Sequence, residues 1–143
     1  MIQNEAQRAS TPLRTFLSAG DAAPMNSVLV RALVCSKDEA IALRSEGIRD
    51  WKMKVGGDDL ATDLERVQDV LSVLEPEDRI TLDANEGWTI EDVKRAHDTL
   101  GAGRITWFEQ PLDRQDLQGH ASLRSLGIPI AIDEGIETLA DLD

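Results

Sequence analysis

Ile80-Thr81-Leu82-Asp83, a helical run from Thr89 to Gly101, then Ile105-Thr106-Trp107-Phe108-Glu109: these thirty residues carry the fold. The two apolar, β-branched runs are strand-length and bounded by turn residues, so each reads as a strand. Thr89 caps the segment between them, with Asp92 at the third position, and Gly101 supplies its C-terminal stop. Strand, helix, strand at this spacing is a βαβ unit, which requires parallel strands.

The same alternation extends both ways. Upstream, Trp51-Lys52-Met53-Lys54-Val55 reads as a strand broken by Gly56-Gly57. A helix follows, with Leu60, Leu64, Val67, Leu71 and Leu74 forming one apolar stripe. Before it, Ser27 to Val34 reads as a strand, and Ser36-Lys37-Asp38-Glu39 has capping-box spacing for a helix through Ile41 and Leu43 that stops before Gly47. Downstream, a helix from about Leu117 to Leu126 ends at Gly127, Ile128 to Asp133 reads as a fifth strand, and a last helix is expected from Glu137. The chain is therefore α/β with a parallel sheet, closed either as an open doubly wound sheet or as a (β/α)8 barrel. No Gly-x-Gly-x-x-Gly follows the first strand, which argues against dinucleotide binding.

The 143 residues carry 15 Lys+Arg against 27 Asp+Glu, a formal charge of −12. That balance disfavours nucleic-acid phosphates and anionic membranes as partners and suits a protein that holds cations. Hydrophobic residues at 41% are enough for a core. The one cysteine, Cys35, excludes a disulfide framework and fits a reducing, cytoplasmic setting. It reads as a small packed thiol. No signal peptide or membrane-spanning run is visible.

The charges on the strands carry the chemistry. Lys52 and Lys54 are two apart, so they share a face. Asp83, Glu109 and Asp133 end three successive strands, 26 and 24 residues apart, one βα unit each. Singly, each acid reads better as a helix cap or a solvated group, and the lysines as a solvated edge; the coincidence of three acids at one-unit spacing after a Lys-x-Lys strand points to a site, because barrel enzymes place their chemistry on that face. Three converging carboxylates repel one another without a cation, and their hard oxygens suit Mg²⁺, with Mn²⁺ as a substitute. A lysine beside a second ammonium and a divalent cation loses its proton more readily, which makes Lys54 or Lys52 a candidate general base. Metal and lysine together are a means of removing a proton α to a carboxylate. His97 and His120 read as solvated, Trp51, Trp88 and Trp107 as packing, and the acidic run Asp58, Asp59, Asp63 and Glu65 as a helix N-terminus and solvated face.

Four segments, Lys52-Met53-Lys54-Val55-Gly56, Asp83-Ala84-Asn85, Trp107-Phe108-Glu109-Gln110-Pro111 and Asp133-Glu134, resemble in order and spacing the enolase superfamily, in its mandelate racemase/muconate-lactonizing branch. By this resemblance Asp83, Glu109 and Asp133 are the metal ligands, Lys54 the acid/base lysine and Lys52 its electrostatic neighbour. Asn85 and Glu134 then support the ligands from outside the coordination sphere. The resemblance implies residues 1–24 as the tail of a capping domain, with Ala6-Gln7-Arg8 to Pro12-Leu13 as its end, and residues 25–143 as a partial (β/α)8 barrel of about four and a half units. It implies a piece of a longer fold, lacking the family's second catalytic lysine on strand six. The expected reaction is Mg²⁺-dependent proton abstraction from a small carboxylate substrate through an enediolate, as lyase or isomerase. Pro24-Met25-Asn26-Ser27-Val28-Leu29 resembles the barrel start of o-succinylbenzoate synthases, whose syn dehydration needs one base; dipeptide epimerase and muconate cycloisomerase are the alternatives. Another is a half-barrel, a homo-oligomer or complementing fragment that acts only on assembly, because an unclosed sheet leaves two edges.

Overall fold

Parallel strands joined by helices leave the chain a small choice of windings, and the strand order selects one. The computed structural model describes residues 31–138. Its elements are β1 (Arg31–Leu33), α1 (Lys37–Ser45), β2 (Asp50–Lys54), α2 (Leu60–Leu71), β3 (Ile80–Asp83), α3 (Ile90–Leu100), β4 (Ile105–Glu109), α4 (Leu117–Ser125) and β5 (Ile130–Ala131). The five strands are all parallel and lie in chain order. A doubly wound sheet reverses its order at a switch point; this one does not. Successive helices pack on one another, so every crossover steps the same way, as in a (β/α)8 barrel. The expected capping-domain remnant over 1–24, the first residues of strand one and most of the last helix lie outside the described residues.

One face of the sheet is dry. Trp51, Met53, Ile80, Leu82, Ile105 and Phe108 pack beneath Val67, Val70, Val93, Ala96 and Leu123 of the helices. Each fully buried aliphatic or aromatic side chain here contributes roughly 1.5–3 kcal/mol. The three tryptophans behave as packing residues: Trp88 lies against Phe108 at 6.0 Å, and Trp107 receives the Arg31 guanidinium at 4.7 Å over its ring. The helix boundaries follow local chemistry. Thr89 and Asp92 form both halves of a capping box, and Gly101 ends α3 with φ +84°. At α1, Ser36 accepts from the Glu39 N–H as expected, but Glu39 reaches back one residue further, to the Cys35 N–H at 2.8 Å.

Four readings are corrected. Asp63, expected on a solvated face, is fully buried: it accepts the Gly56 N–H at 2.7 Å and pairs with Arg66 at 3.0 Å, and these contacts meet the cost of desolvating it. His120 is 5% exposed, with Nδ1 2.8 Å from the Asp116 carbonyl, and His97 packs its ring on Phe108 at 6.4 Å, so neither is solvated. Cys35 is exposed rather than packed, because the chain has already left β1. Finally, β5 is two residues long, so Asp133 lies beyond the ladder instead of at its last rung.

The loops at the carboxyl ends of the strands are locked together. Gly56 (φ +83°) and Gly87 touch backbone to backbone; a Cβ on Gly56 would stand 2.5 Å from the Ala84 carbonyl oxygen, and one on Gly87 2.4 Å from the Gly56 oxygen. Arg114, after β4, grips Glu86, after β3, with two side-chain N–H groups at 2.9 Å and its backbone N–H at 2.7 Å, and reaches Glu137, after β5, at 3.2 Å. These hydrogen bonds hold the Glu86 carboxyl at about 2 instead of 4.5.

Gly56→Ala should therefore cost about 2 kcal/mol or more in urea unfolding, whereas Gly103→Ala, which meets open space, should stay within roughly 0.5 kcal/mol. The Glu86 contribution, from a lowered pKa, is complete above pH 4.5 and lost as pH falls toward 2. Thermal unfolding over that interval should fall more steeply for the wild type than for Glu86→Gln; equal slopes would contradict this.

Candidate functional site

The ladder sets the site. Lys54 pairs with Asp83, Asp83 with Glu109 and Glu109 with Ala131, so the strand ends stand level. Between β3 and β4 the register shifts: Ile80 pairs with Ile105, but Leu82 pairs with Phe108. One extra residue thus sits in β4. Without it Phe108 would oppose Asp83, and Glu109 would fall on the other face. The bulge puts both acids on the face opposite the helices, with Lys52, Lys54 and Thr81.

There the side chains meet. Lys52 Nζ lies 2.8 Å from Asp83 Oδ2 and 2.9 Å from Glu109 Oε2, all three side chains at least three-quarters buried. Partial burial pulls the Lys52 pKa down, but the hydrogen bonds and charges of Asp83 and Glu109 outweigh it and hold the group above the ordinary 10.5. The two acids thus already converge on one positive group, and their all-oxygen donor set suits a hard divalent cation.

Lys54 is exposed at the rim. Its carbonyl accepts from Arg66 Nη2 at 3.0 Å, and the neighbouring Gly56 N–H is held by Asp63, so the end of β2 is clamped by α2. Lys54, Arg66 and Asn85 border a cleft of about 410 Å³. A cleft of about 480 Å³ beside Arg44 and Arg49 lies at the other end of the strands, away from these groups.

Asn85 and Glu134 are brought together: Asn85 Nδ2 donates to Glu134 Oε1 at 2.8 Å. Asp133 is not drawn in with Asp83 and Glu109; among the described residues no three His, Cys, Asp or Glu stand close enough to hold a metal. Its backbone is nonetheless fixed, by Gln110, a residue the strand-end pattern does not single out. Gln110 Oε1 accepts from the N–H groups of Asp133 and Gly135, both at 3.0 Å. Asn85, Glu86 and Gln110 all have left-handed φ, at 42°, 67° and 35°. Such strain in non-glycine residues clusters where a site is being shaped.

The family model for enolase C-terminal domain-like proteins matches residues 36–143. The chain is 31% identical over 144 residues to the L-talarate/galactarate dehydratase of Salmonella typhimurium, covering 91% of this chain and 34% of that protein. It is 34% identical over 124 residues to the o-succinylbenzoate synthase of Mycobacterium leprae, covering 85% and 36%. The crystal structure of a dipeptide epimerase from Enterococcus faecalis V583, complexed with Mg and the dipeptide L-Leu-L-Tyr, superposes with a TM-score of 0.84 at 26% identity, covering 98% of this chain and 40% of that one. The chain spans about a third of the length of the curated relatives it matches. Single-direction winding, acids level at the strand ends and these matches lead to one conclusion: the chain belongs to the enolase superfamily, in its mandelate racemase/muconate-lactonizing branch.

Proposed function

We propose that this chain carries the carboxyl-end face of an active site that removes a proton α to the carboxylate of a small substrate, as a lyase or isomerase. The observation that carries this reading is the convergence of Asp83 and Glu109 on Lys52 at 2.8 and 2.9 Å. Asp83, Glu109 and Asp133 would hold Mg²⁺, or Mn²⁺ in its place. When bound, the divalent cation supplies positive charge against the substrate carboxylate and so acidifies the α-proton.

The chain's own residues do the rest. Lys52, on the same face beside Asp83 and Glu109, places a positive charge beside the substrate carboxylate. Lys54, one step further along the same face and open to the cleft, takes the proton at Nζ. Asn85 and Glu134, hydrogen-bonded to each other, brace the rim. Two of the relatives named above are a dehydratase and an o-succinylbenzoate synthase. A dehydration of the latter kind, with the β2 lysine as its base, is the reading we take, with epimerisation and cycloisomerisation as the alternatives.

Calorimetric titration of Mg²⁺ into the chain should give saturable binding that Glu109→Ala abolishes. Lys52→Met should tighten binding about tenfold, because relief of roughly 1.4 kcal/mol of repulsion between cations corresponds to that factor. Absence of binding in the wild type would overturn the reading and leave the half-barrel that acts only on assembly.

A further inference from the structure

We infer that Gln110 is a positioning residue for Asp133: its side-chain amide sets where the third acid of the site stands. The inference rests on the reading of Asp133 as a metal ligand.

Asp83 and Glu109 need no such help. Both end strands that run in register, and the ladder fixes them. Asp133 lies two residues past the end of β5, where no rung reaches. Something else must hold its backbone, and the nearest fixed point is Gln110, one residue after β4. Gln110 is fully buried. Its backbone N–H continues the ladder to the Ala131 carbonyl at 2.9 Å, and its carbonyl accepts the Glu86 N–H at 2.8 Å. Its side chain turns toward the β5 loop, where Oε1 takes both the Asp133 and Gly135 N–H groups. Nε2 donates to the Leu112 carbonyl at 3.1 Å, which fixes the orientation of the amide: the oxygen faces two donors and the nitrogen an acceptor. One residue thereby joins the loops after β3, β4 and β5.

A shorter or apolar side chain cannot do this. An asparagine falls one carbon short, and a methionine fills the space but leaves two part-buried N–H groups without their acceptor. The φ of +35° at Gln110 is the backbone cost of the arrangement. Residues that orient ligands in this way typically cost 10–100-fold in metal affinity when replaced.

The test is a double-mutant cycle on Mg²⁺ affinity in the full chain, with Gln110→Met, Asp133→Asn and the double variant. If Gln110 acts through Asp133, each single change weakens binding by roughly tenfold or more, and the double variant is no weaker than Asp133→Asn alone. A merely structural role would lower the unfolding temperature and multiply with Asp133→Asn. Losses that multiply, or a harmless Gln110→Met beside a damaging Asp133→Asn, overturn the inference alone. An Asp133→Asn variant that binds Mg²⁺ like the wild type overturns the ligand reading, and the inference with it. Hydrogen exchange of the wild type covers the case in which Gln110→Met does not fold: the Asp133 and Gly135 amides should be protected although they lie outside any strand, and unprotected amides there overturn the inference.

Discussion

The level alignment of the strand ends is the constraint on which the rest of this molecule depends. In a parallel sheet a side chain's face alternates with every residue, so a group is available to a site only if its register is right. Here Lys54, Asp83 and Glu109 stand in one row. The row exists because β4 carries one residue more than β3 between their shared rungs. The bulge adds local twist and interrupts the ladder, and in return moves a carboxylate from the packed face to the open one. The ammonium of Lys52 then completes a three-membered charge cluster whose parts come from three different strands.

The fold was legible because its signals are local and repeated. Thr89 and Asp92 announce a helix start, Gly101 a stop, and the apolar runs around Leu82 and Phe108 have strand length. The enolase-type segments were equally legible, since Lys52, Lys54, Asp83 and Glu109 sit where their spacing puts them. What the sequence hid depends on contacts distant along the chain. Asp63 reads as one more acid on an acidic helix, and only the Gly56 N–H and Arg66 make its burial tolerable. The bulge in β4 has no composition of its own. Asp133 ends an apolar run that looks like six residues of strand, yet pairing stops at Ala131. His120 is buried through the packing of α4, which the spacing of its apolar residues does not reveal.

The charge arrangement also separates two tasks that both involve lysine. Two lysines on one face, two residues apart, look equivalent in a sequence. Lys52 is shielded and flanked by two acids; Lys54 lies at the open rim, its carbonyl clamped by Arg66. Position along a single strand thus distinguishes an ion-paired ammonium from one that faces the cleft. Clamping the carbonyl fixes where the Lys54 side chain starts, and its tip borders the cleft.

The backbone contact between Gly56 and Gly87 divides the rim into two kinds of territory. The turns after β2 and β3 approach each other with no room for a side chain, so neither turn can lengthen or take on a larger residue without displacing the other. Lys54 and Asp83 lie beside that tight contact, where a larger residue has no room. The segments past Glu109 and Ala131 are joined through the Gln110 backbone and side chain, without a backbone contact of that closeness. A rim built this way holds the ends of β2 and β3 at a fixed separation whatever its other loops carry.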